Sequence, residues 1–117
     1  MRNIRDYLLD LMDEIAAVQR FTEAGEQAFL SDDRSQYAVM MAYARIGEIT
    51  KRVPAELLAT QPQVPWQDVK GFRDILLHRY HEINIVRVWE AVEQLPTLRA
   101  AAPDARQSGA ALLRCRP

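Results

Sequence analysis

The chain has a single cysteine, Cys115, so it cannot close a disulfide on itself, and no metal-ligand spacing is built around it. Glycine and proline are scarce, four and six in 117 residues, and there is little alternation of apolar and polar residues. Those absences disfavour a turn-rich sheet and leave helices as the expected element. No charge of one sign dominates. The net charge is −1, so no global basic field marks a nucleic-acid binder, and any such contact has to rest on a local cluster. Lysine is rare too. Of fifteen basic residues only Lys51 and Lys70 are lysines, and the other thirteen are arginines. A bias in genome composition and phosphate recognition both account for that excess. The longest uncharged apolar run is YAVMMAYA, residues 37–44, less than half of what a bilayer span needs. The opening MRNIRDYLLD is charged throughout and does not resemble a signal peptide. With one cysteine, a cytoplasmic location and no membrane association are expected.

Hydrophobic residues make up 49% of the chain and charged residues 26%. That balance and length predict one soluble domain able to bury a core without disulfide or metal staples. Residues 3–22 place Ile4, Tyr7, Leu8, Leu11, Ile15 and Val18 at helical spacing. Gly25 interrupts, and a short helical piece over 26–30 leads to a capping cluster at Ser31-Asp32-Asp33. A long helix is expected over 33–53. Its YAVMMAYA half is apolar nearly all round, which predicts a central, buried helix. PAELLAT allows one or two helical turns, and Pro65-Trp66-Gln67-Asp68 opens a helix running to about Tyr80. After a turn over 81–84, Asn84 can cap a last helix over 85–99, with Ile85, Val88, Trp89, Val92, Leu95 and Leu98 as its stripe and Pro96 as a kink or restart. From Ala101 the composition shifts to small residues and arginines, read as a mobile tail over 101–117. The expected architecture is all-α: an up-and-down bundle of four main helices plus one or two short ones over 1–100.

The helix over 66–80 carries the distinctive polar residues, in RDILLHRY. On a wheel of about 100° per residue, Val69, Phe72, Ile75 and Leu76 cluster on one side. Asp74 and His78, one turn apart, share the far side with Gly71. An Asp at i and a His at i+4 can hydrogen-bond, which fixes the imidazole tautomer and raises its basicity, as a general base requires. Gly71 leaves room for a close approach. Arg73 lies about 140° around from His78, so one straight helix does not easily bring both to one atom; a second copy of the helix across a dimer interface would. The same spacing is met by a bridging arginine, an ordinary surface Asp–His pair and a half-buried tyrosine. Glu48, after Gly47 in the central helix, has Arg45 and Arg52 as its ready partners at i−3 and i+4.

Arg73, four residues, His78, one residue, Tyr80 resembles the Arg-x4-His-x-Tyr signature of HepT-like proteins in the HEPN superfamily. IGEITKR (46–52), VPWQDVKGFRDILLHRY (64–80) and VWEAVEQLPTLR (88–99) are similar to that family's segments, in the same order, and the resemblance covers roughly residues 1–100. It implies an all-helical homodimer whose two motifs line a shared cleft, and a metal-independent endoribonuclease acting as the toxin of a toxin–antitoxin pair. The partner implied is a minimal nucleotidyltransferase (MNT-type) antitoxin that adds AMP to the motif tyrosine, here Tyr80. No cofactor or metal is implied. In that frame His78 moves the proton, Arg73 stabilises phosphoryl charge, Asp74 orients His78 or contacts ribose, and Gly71 and Glu48 support the cleft. His81 after Tyr80 and Thr50 in the central helix depart from the usual pattern. Two other functions fit the residues: a catalytically silent helical dimer that binds and regulates a nucleotidyltransferase, and a nucleotide-binding regulator. The last lacks a phosphate-cradling glycine loop.

Overall fold

A computed structural model describes residues 3–101. Among them there is no strand, and the all-α expectation holds. The first helix, α1 (Ile4–Phe21), starts at a reciprocal cap: Asp6 N–H donates to the Asn3 side chain at 3.0 Å, and Asn3 N–H donates to the Asp6 carboxylate at 3.3 Å. Its buried residues are Leu8, Leu11, Ile15 and Val18. That 3-4-3 spacing makes one stripe, and each such side chain stabilises the fold by about 1.5–3 kcal/mol when fully buried. Gly25, at φ +94, turns the chain into α2 (Glu26–Leu30). This short helix sinks Phe29 against Trp89, ring centroids 5.3 Å apart.

The longest helix is α3 (Asp33–Arg52), capped by the Asp32 side chain accepting from Arg34 N–H and ended before Pro54. It packs extensively along α1 on one side and α5 on the other. Its buried face includes Val39, Ala42, Ala44, Ile46, Gly47 and Thr50, small enough to let neighbouring helices come close. The expectation that its YAVMMAYA half is buried all round is corrected. Tyr37 and Met41 are 72% and 61% exposed, because α1 and α5 cover only two sides of α3 and leave a third apolar stripe uncovered.

A four-residue helix, α4 (Ala55–Leu58), precedes the proline-rich connector. The Trp66 indole fastens that connector by donating to the Leu58 and Gln61 carbonyls at 2.9 and 3.1 Å. Next comes α5 (Trp66–His78), which stops two residues short of the expected Tyr80. Arg79 leaves helical geometry (φ −132, ψ 36), and Tyr80–Glu82 form a 3-10 turn, reinforced by an Arg79–Glu82 ion pair. Asn84 caps α6 (Ile85–Glu93) by accepting from Val86 N–H at 3.0 Å. The chain breaks at Gln94 and is helical again over 95–101, the restart anticipated at Pro96. Val88, Val92, Leu95 and Leu98 of the expected stripe are buried, as is Ala101. The rest of the expected tail, 102–117 with Cys115, lies outside the described residues. No helix among those described is long and apolar enough to cross a membrane.

Candidate active site

The site is built where α3 and α5 touch. Gly47 lies against Arg73: a Cβ added to Gly47 would stand 2.4 Å from the Arg73 Cβ and 3.2 Å from the Val69 carbonyl oxygen. Glycine inside a helix costs about 0.5–1 kcal/mol relative to alanine, and here it allows α5 to lie directly on α3. One turn along α3 from Gly47 is Lys51, and one turn from Glu48 is Arg52. These side chains meet Arg73 and Asp74 of α5 in an ionic chain. Arg52 Nη2 is 3.0 Å from Glu48 Oε1, and Arg73 Nε is 3.0 Å from Glu48 Oε2. Arg73 Nη1 then lies 3.1 Å, and Lys51 Nζ 2.9 Å, from the same Asp74 oxygen, Oδ1.

The Arg73 Nε–H is buried and not aimed along the line to Glu48. The Glu48 contact is therefore an ion pair by proximity rather than a directed hydrogen bond. Arg52's hydrogen bond, then Arg73's charge, hold the Glu48 carboxyl below its ordinary range. Lys51's hydrogen bond, then Arg73's, do the same for Asp74. Pairs this exposed are screened by solvent and contribute little. They are too weak to set the spacing of the helices; the packing of α5 at Gly47 sets it and so brings the charges together.

The expected Asp74–His78 bond is absent. The Asp74 carboxylate turns to Lys51 and Arg73 instead, since two full cations offer more than one imidazole a turn away. His78, the last residue of α5, is exposed. No hydrogen bond or ion pair joins His78 to Arg73 within the described residues. Glu48 takes Arg52 as expected but not Arg45, which pairs with Glu14 of α1 at 3.1 Å. Its second partner, Arg73, is the one that matters to the site.

Tyr80 is 73% exposed and sits edge-on to His81, ring centroids 5.7 Å apart. Because α5 ends at His78, Tyr80 leaves the ridge it would share with Arg73 on a continuous helix. It borders a shallow depression of about 450 Å³ together with Tyr37, Met41 and Leu77. Gly71 is open on its Cβ side and belongs to a different hollow, about 620 Å³, between α5 and the 87–98 segment. The buried Tyr43 ring reaches that hollow and packs edge-on to Phe72 at 5.5 Å.

The family described as "Ribonuclease HepT-like" matches residues 11–104.

The chain belongs to the HepT-like ribonuclease family.

A Thermococcus cleftensis protein named "Probable ribonuclease HepT" is 34% identical over 100 residues, 84% of this chain and 91% of that protein. A Methanocaldococcus jannaschii protein named "Putative RNase MJ0127" is 33% identical over 92 residues, 78% of this chain and 76% of its own. No solved structure gives a significant match.

Beside Arg73, the fold places two residues that the expected Arg-x4-His-x-Tyr pattern does not name. Gly47 sets the distance between the helices and Lys51 supplies a second cation beside Arg73. The signal for Gly47 was its place inside a long helix, where glycine is disfavoured unless something comes close. Nothing in the spacing of one helix could pair Lys51 with a residue 23 positions away.

Proposed function

We propose that the protein is a metal-independent endoribonuclease, the toxin of a toxin–antitoxin pair, which works as a homodimer and is silenced when a partner nucleotidyltransferase adds AMP to Tyr80. The observation that carries the reading is the fixed Arg73. It lies between Glu48 of α3 and Asp74 of its own helix, five residues before an exposed His78. Held in this way, its planar guanidinium is suited to phosphoryl oxygens.

In the reaction the ribose 2′-oxygen forms a bond to the adjacent phosphorus as the bond from phosphorus to the 5′-oxygen breaks. His78 accepts the 2′-hydroxyl proton, and the departing 5′-oxygen receives a proton in turn. Arg73 stabilises the charge that gathers on the non-bridging oxygens. The requirement for a 2′-hydroxyl restricts the substrate to RNA.

Two copies of the site support the reading better than one. The uncovered apolar stripe of Tyr37, Met41 and Leu77 borders the end of α5, with Tyr80 at its rim, and a face of that kind fits self-association. Tyr80 on the same rim is open to modification, and an AMP there would add bulk and negative charge where an RNA phosphate has to approach.

The test is purified protein with RNA in EDTA. Wild type cleaves and His78→Ala does not. Equal cleavage by both would assign the activity to a contaminant, and the proposal would fall.

A further inference from the structure

Two cations from different helices converge on one carboxylate oxygen. Lys51 Nζ of α3 is 2.9 Å from Asp74 Oδ1, and Arg73 Nη1 of α5 is 3.1 Å from the same atom. That is the arrangement a non-bridging phosphate oxygen takes between a point charge and a guanidinium. We infer that Lys51 and Arg73 form a two-cation seat for one phosphate of single-stranded RNA, and that the Asp74 carboxylate fills this seat while the protein is free. The inference rests on the ribonuclease reading and adds to it a residue, Lys51, and a self-occupied state.

Three features of the site favour an exchange of anions over a permanent bridge. Arg73 stays in place without Asp74, held by Glu48, which Arg52 holds in turn; Lys51 also acts on the Glu48 charge, and the approach of α5 at Gly47 fixes the distance across the helices. Asp74 is free to leave, since its side chain is about half exposed while that of Arg73 is 23% exposed. It also has somewhere to go, because His78 lies one turn further along the same helix and carries no competing bond. The charges balance on exchange. Lys51, Arg73 and Arg52 against Glu48 and Asp74 leave one positive charge, which the entering phosphate neutralises. When the phosphate enters, Asp74 swings towards His78 and orients the imidazole, so binding and arming of the base occur together.

The experiment uses full-length protein in a His78→Ala background, so that RNA is bound without being consumed. A fluorescein-labelled single-stranded RNA is titrated by anisotropy in EDTA over a series of KCl concentrations. Lys51→Met should weaken binding several-fold and flatten the plot of log affinity against log salt by about 0.7, the share of one phosphate contact on a single strand. Lys51→Arg should restore both. Asp74→Asn, which removes the competing charge, should bind RNA more tightly than its parent.

A bridge that is only structural predicts something else: lower melting temperatures for Lys51→Met and Asp74→Asn with RNA affinity unchanged. Parental affinity and salt slope in Lys51→Met, or weaker binding by Asp74→Asn, overturns the seat. If wild type still cleaves RNA in a His78-dependent way while Lys51→Met binds normally, the seat alone is lost and the ribonuclease reading stands. If the parent does not bind RNA and the wild type does not cleave it, both are lost.

Discussion

Gly47 on α3 and Arg73 on α5 are packed so closely that no side chain fits between them, the Cβ position of Gly47 being 2.4 Å from the Arg73 Cβ. That contact holds the arginine over Glu48 and within reach of Asp74 and Lys51. It also ties the stability of the α3–α5 packing to the geometry of the candidate site.

Gly47→Ala should therefore destabilise the protein even though alanine is the better helix former. The propensity gain is about 0.5–1 kcal/mol, against roughly 1–3 kcal/mol for forcing a methyl group into a packed interface. Backbone is among the obstructing atoms, so the clash wins. Thermal unfolding should shift down by several degrees, and RNA cleavage should fall further than the loss of folded protein explains. A more stable alanine variant would show that α5 slides on α3 without cost.

Acid should weaken the fold through the same cluster. Asp74 and Glu48 have ordinary values of 3.8 and 4.5, and both are held lower in the folded chain, Asp74 chiefly by Lys51 and Glu48 chiefly by Arg52. The unfolded chain thus takes up these protons first. The stabilisation is complete above the ordinary values and is lost as pH falls through the lowered ones. Melting temperature measured from pH 6 down to about pH 2.5 should decline below about pH 4.5. The decline should be shallower in Asp74→Asn. An identical acid profile in that variant would mean that Asp74 does not feel Lys51 and Arg73 in solution.

The apolar stripe predicts a change of assembly without a change of fold. Met41 and Leu77 are 61% and 46% exposed, so a charge at either position meets water in the single chain. Met41→Asp and Leu77→Asp should keep the helical circular dichroism, sediment as monomers and lose RNA cleavage. Wild-type protein that sediments as a monomer while cleaving RNA would separate the activity from pairing.

Tyr80 should be the acceptor of AMP. Co-expression with a minimal nucleotidyltransferase partner should add one or more AMP masses to the peptide containing Tyr80, and Tyr80→Phe should abolish the addition. The modified protein should no longer cleave RNA. An unmodified peptide under those conditions would remove the silencing mechanism and leave the nuclease untouched.

Much of the architecture was legible because its signals are local. Asn84 and Asp32 announce their helices within three residues, through a side chain that meets the first free backbone N–H groups. The α1 stripe was readable because one face of one helix has one period. The end of α5 was harder to see. Nothing in the residue types forbids helix at Arg79 or Tyr80; the chain leaves helical geometry at Arg79 on the way to the Asn84 cap, and an Arg79–Glu82 ion pair accompanies the turn. The exposure of Tyr37 and Met41 was hidden for a different reason: composition shows that a helix is apolar all round, but not how many neighbours it has.

The amino-acid order alone determined most of the helices, the caps at Asp32 and Asn84, the restart at Pro96 and the resemblance to the HepT-like family. Only the tertiary structure decided what Asp74 does. Its neighbour along the helix is His78, yet its carboxylate goes to Lys51, 23 positions away. The strength of a charge contact depends on distance in space, and that distance is set where α5 rests on Gly47.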